Sequence, residues 1–186
     1  MSETTTATPA GEGRVRTSPA LEWWQRLQPD AGRPGDRAAL ARLRRAVSLA
    51  EAMSEPAVLQ LFRRLGYGAG DRVRLPRVAL VAVTLAHVRT HEPTTVMRRV
   101  GRAVLEDETA TLKPIRLRQI LAARSDEELA VAMRRLVMLA DRRLDVADLA
   151  RSILFWNDET RARWAFDYFN AGSAAPNQPD PHGAEA

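Results

Sequence analysis

In the stretch GDRAALARLRRA, residues 35–46, arginines stand at positions 37, 42, 44 and 45. A guanidinium is planar, always charged and rich in donors, so it suits bidentate contact with phosphate or carboxylate. Arg37 and Arg44 are seven apart, and on a 3.6-residue helix they point within about 20° of one another. They lie beside a stripe of Leu40, Leu43 and Val47 that the periodicity predicts to be buried. Arg42 and Arg45 point further round, toward solvent. Two guanidiniums along one helix edge can bridge successive phosphates. The same pattern also fits an amphipathic helix with a solvated basic flank.

Other side chains offer less chemistry. His87 and His91 in HVRTH are four apart. Zinc hydrolases use that spacing with a glutamate directly after the first histidine as general base, and here that position is Val88. Glu92 is the one further ligand nearby, so two helix-face histidines are the simpler reading. The acidic clusters at 106–108 and 126–128 read as structural, the second opposing the positive end of a helix dipole. Trp23, Trp24, Trp156 and Trp164 could stack on bases, but Trp156, Trp164, Phe166 and Phe169 recur at helical spacing and read as core. There is no P-loop, nucleophile elbow or dinucleotide fingerprint. The absence of cysteine removes disulfides, thiol catalysis and thiolate metal sites. Neither catalytic residues nor a cofactor are expected.

The elements that must hold these residues are helices. Ala, Leu and Arg dominate, aromatics make up 5%, and strand-like alternation is missing. Ser18–Pro19 opens a helix, Asp36 opens one running to about Met53, and Ser54 caps the next. LPRVALVAVTLAHVRT is the most apolar helix and falls at the centre of the core. In the second half Pro114 starts a helix, Ser125 and Glu128 form a capping box, and Asp145 and Asn157 or Asp158 cap the last two. The prediction is an all-α protein of eight or nine helices in two packed lobes, 18–104 and 105–171, with disordered tails at 1–17 and 172–186. The apolar stretches are shorter than the ~20 residues of a membrane span, and no signal peptide is visible. A cytoplasmic protein without a membrane partner is expected.

The net charge of +5 is unevenly spread. Residues 31–104 hold 14 basic and 5 acidic side chains, whereas residues 105–186 hold 11 and 14. Positive charge gathered in the first half is the footprint of a polyanion partner.

Three segments carry a family likeness. DRAALARLRRA resembles the N-terminal Arg–Ala…Leu–Arg–Arg signature of the CasB family, the small subunit of the type I-E CRISPR surveillance complex (Cascade). IRLRQILAARSDEELAVAMRRLVMLA is similar to the family's middle segment, with Leu117 in place of a usual Phe and Gln119 in place of an Arg. LDVADLARSILFWNDETRARWAFDYF is similar to its C-terminal Asp…Leu…Leu…Trp…Arg…Trp…Tyr-Phe block. The resemblance covers about residues 20–170. It implies a two-lobed, all-helical, non-catalytic subunit, present in two copies beside the backbone and large subunits. Its basic grooves would help hold CRISPR RNA, the target strand and the displaced strand, stabilising the R-loop. Carried over, Arg37, Arg44 and Arg45 match the N-terminal signature, Arg116 and Arg118 flank the middle stripe, and Arg142 and Arg143 follow a helix end. Sequence is read by guide pairing, so such a subunit need only attract backbone. The alternatives are a helical DNA-binding regulator, for which SEPAVLQLFRRLGYGAG makes a poor helix-turn-helix, a metal-dependent hydrolase centred on His87, His91 and Glu92, and a scaffold that binds only protein.

Overall fold

The structure, a computed structural model, describes residues 18–102 and 110–171. The two predicted tails and the acidic cluster at 106–108 lie outside the described residues. Ten α-helices are present among the described residues: α1 (Pro19–Leu27), α2 (Arg37–Arg45), α3 (Leu49–Met53), α4 (Pro56–Arg64), α5 (Leu75–Leu85), α6 (Val96–Val100), α7 (Pro114–Leu121), α8 (Asp126–Leu139), α9 (Val146–Leu154) and α10 (Asp158–Phe169). No helix among them is long and apolar enough to cross a membrane.

Most helix starts follow from single residues. Proline opens α1, α4 and α7, where its missing N–H has no helical partner to lose. Asp36 accepts from Ala39 N–H, Ser125 from Glu128 N–H, Asp145 from Ala147 and Asp148 N–H, and Asn157 from Thr160 N–H. Ser54 departs from expectation. It ends α3, and Glu55 stands before Pro56 at the start of α4.

The tenth helix arises from a break at 46–48. The predicted run from Asp36 to Met53 stops at Arg45, and Ser48 caps α3 by accepting from Glu51 N–H, while Glu51 accepts from Val47 N–H. Leu40 and Leu43 are buried as predicted, but Val47 leaves the stripe and is 92% exposed.

α5 is the hub. Val78 to Leu85 are buried on every face, and the helix packs against α3 and α4 from the first half and α8 and α9 from the second. A helix buried all round has no face left for a DNA groove, so α5 serves the core alone. Indole and phenol groups tie distant segments to the core: Trp23 Nε1 donates to Ala57 O, Trp24 Nε1 to Val88 O, Trp164 Nε1 to Ser152 Oγ and Tyr168 Oη to Leu112 O. Phe166 and Phe169, expected in the core, are exposed, because α10 turns only Thr160, Trp164 and Tyr168 inward.

The chain beyond α5 is extended and not helical. Thr90–His91 (β1) pairs in parallel with Arg143–Leu144 (β2), Thr90 opposite Arg143 and His91 opposite Leu144. This short ladder clips the α5 end to the α8 end.

Candidate nucleic-acid interface

α2 is held at a defined angle by its loop. Gly35 has φ +63°, and a Cβ there would meet Leu27 O and Gln28 C at 2.5–2.6 Å. Asp36 N–H donates to Leu27 O, so α2 starts against the end of α1. With Leu40 and Leu43 facing the core, Arg37 and Arg44 come out on one edge. Together with Arg89, Leu40, Gln28 and Pro29 they line a crevice of about 300 Å³.

Arg44 is the anchored member. Its Nε donates to Ala86 O at 2.6 Å, one of the carbonyls left without a helical partner at the C-terminal end of α5. That end carries the negative pole of the helix dipole and favours a cation. The Arg44 guanidinium nevertheless sits below the usual arginine range, through burial first and then repulsion from Arg142 and Arg89. His87 feels the same cations. Burial, then Arg134, Arg142 and Arg44, push its imidazole down to about 4. Among the described residues no carboxylate pairs with Arg37, Arg44, Arg89 or Arg142. Like charges held together without a counter-charge repel, and an anion bound among them would relieve that repulsion.

The predicted residues divide accordingly. Arg37 and Arg44 line one crevice, and Arg142, whose O accepts from Arg89 N–H at the end of α8, is near enough to repel Arg44. Arg143 is engaged elsewhere: its Nε and Nη2 each lie 2.7 Å from Glu92 Oε1. Arg45 is exposed at the end of α2 and does not line the crevice. Arg116 lines a separate groove of about 530 Å³ between α7 and α8, with Arg134 and Arg135 above a floor that includes Ile120, Leu136 and Leu139. Arg118 is exposed on α7 outside that groove. Arg89 in the crevice and Arg134 in the groove are neighbours that sequence spacing does not reveal. The apolar period carries HVRTH on as helix, whereas the turn after α5 brings Arg89 to the crevice beside Arg44.

The two histidines do not form the expected helical pair. α5 ends at Leu85, and His91 lies in β1, where its Nδ1 accepts from Val146 N–H at 3.2 Å. His87 faces arginines. Among the described residues no group of three His, Asp or Glu side chains could hold a metal ion.

The fold and this edge define a class: an all-helical protein with an unneutralised arginine cluster suited to a phosphate backbone. The chain belongs to the family of CRISPR-associated protein Cse2, whose pattern matches residues 39–169; CasB is a name of the same family. A chain in a crystal structure of E. coli Cascade bound to a PAM-containing double-stranded DNA target is similar in fold, with a TM-score of 0.59 and 20% identity over 83% of this chain and 97% of that one. Among curated proteins none matches.

Proposed function

We propose that this chain is a small, non-catalytic subunit of a type I-E CRISPR RNA-guided surveillance complex, in which it binds nucleic-acid backbone and stabilises the opened target. Membership of the Cse2 family supports the assembly, and the solved relative lies in a complex described as bound to double-stranded DNA. The observation that carries the binding role is the Arg37–Arg44–Arg89–Arg142 cluster without a carboxylate partner. Exchange of a DNA duplex for an RNA–DNA heteroduplex is nearly balanced in energy, so a few backbone contacts can tip it. The other subunits, a second copy of this chain, the guide RNA and the two DNA strands are the partners. Arg45, Arg116 and Arg118 belong to other surfaces, where they would meet a neighbouring subunit or a second stretch of backbone.

Expression of the tagged chain with the remaining subunits of a type I-E complex tests the assembly. Co-purification with those subunits and with CRISPR RNA is expected. Recovery of the chain alone, while the others assemble without it, would contradict the proposal.

A further inference from the structure

The end of α8 is built in an unusual way. Asp141 and Arg142 have φ of 52° and 61°, the left-handed region that favours glycine. Asp141 N–H donates to Met138 O at 3.2 Å and Arg142 N–H to Val137 O at 2.9 Å, the hydrogen bonds of a Schellman ending. A glycine would adopt this turn with less strain, so the arginine side chain is held there against the local backbone preference. Two sets of contacts hold the turn. Arg142 O accepts from Arg89 and Thr90 N–H, and Glu92 N–H donates to Leu144 O. Glu92 also bridges two arginines, Arg143 at 2.7 Å and Arg99 at 2.9 Å, and its carboxyl lies below the usual range, mainly through the hydrogen bond from Arg143.

We propose that Glu92 is a positioning residue, which grips Arg143 to lock the left-handed Asp141–Arg142 turn and so delivers Arg142 to the Arg44 cluster. Arg143 is then part of the clamp and makes no phosphate contact of its own. The inference rests on the backbone-binding reading above and assigns that site its geometric control.

The test is titration of the full-length chain with single-stranded oligothymidine over a series of salt concentrations, with thermal unfolding to confirm folding. Glu92→Gln makes the protein more positive, so a diffuse field alone would tighten binding. The proposal expects the opposite: weaker binding, with a salt slope lower by about 0.7, the share of one contact on a single strand. In an Arg142→Gln background Glu92→Gln should cause no further loss. Unchanged or tighter binding by Glu92→Gln overturns the proposal, as does an equal loss with and without Arg142. If Glu92→Gln does not fold, Arg143→Gln replaces it in the same cycle, and a loss that persists without Arg142 would make Arg143 a phosphate ligand and sink the idea. Should Arg142→Gln bind like the unaltered chain, the inference falls alone. Should Arg37→Glu/Arg44→Glu also bind normally, the functional reading falls with it.

Discussion

His87 and Arg44 are neighbours in one cationic field, and that field has a signature in acid. Folded, His87 stays neutral down to about pH 4, while unfolded it protonates near its ordinary 6.5. Between those values the unfolded state binds more protons, so stability falls as pH is lowered through the window. His87→Gln should flatten that fall, leaving the loss caused by carboxylates such as Glu92, which lies below its ordinary 4.5. Thermal unfolding of both chains from neutral pH downward measures it, and parallel curves would show that His87 carries no such shift. Residue chemistry was partly legible in the sequence. The shared azimuth of Arg37 and Arg44 follows from a seven-residue spacing, and both line one crevice. Arg89 and Arg142 were not legible as its neighbours, because their approach depends on a parallel bridge between segments more than fifty residues apart.

Helices were read best where one residue decides the boundary. Asp36, Ser125, Asp145 and Asn157 cap through local side-chain hydrogen bonds, which sequence alone encodes. The break at 46–48 left a local signal too, since Ser48 and Glu51 stand three apart as in a capping box, but the apolar period ran across it. The end of α5 gave no such signal, as its apolar run continues to Val88 and only tertiary pairing pulls the next residues into β1. The α1–α2 loop yields a sharper expectation. Gly35→Ala should destabilise the protein by about 1–3 kcal/mol, since it combines a positive φ with a backbone clash. It should also weaken backbone binding by turning α2 away. Gly32→Ala, at a positive φ but in open space, should cost less. Denaturant unfolding of both variants decides, and equal losses would mean that strain alone acts and the α1–α2 contact does not matter.

At the scale of the molecule the question is whether the positive half acts as a field or as a site. Charge alone attracts any polyanion, and affinity then follows net charge. A site makes position matter. Arg161 and Arg163 are poor controls despite their charge. Arg161 meets Asp158, Ala123 O and the Trp156 ring, and Arg163 meets Asp148 and Ser152, so reversing them would disturb the fold. Arg72 and Arg124 are exposed and have no ion-pair partner among the described residues.

The most direct measurement is therefore target-DNA affinity of the fully assembled complex carrying Arg37→Glu/Arg89→Glu, two exposed arginines of the crevice that hold no other part of the fold, against one carrying Arg72→Glu/Arg124→Glu. The two pairs change net charge equally. The account predicts that the first weakens binding by about tenfold or more beyond the second, and that its salt dependence becomes shallower. Equal losses would show a diffuse field, and unchanged binding by the Arg37/Arg89 pair in a complete complex would contradict the site outright.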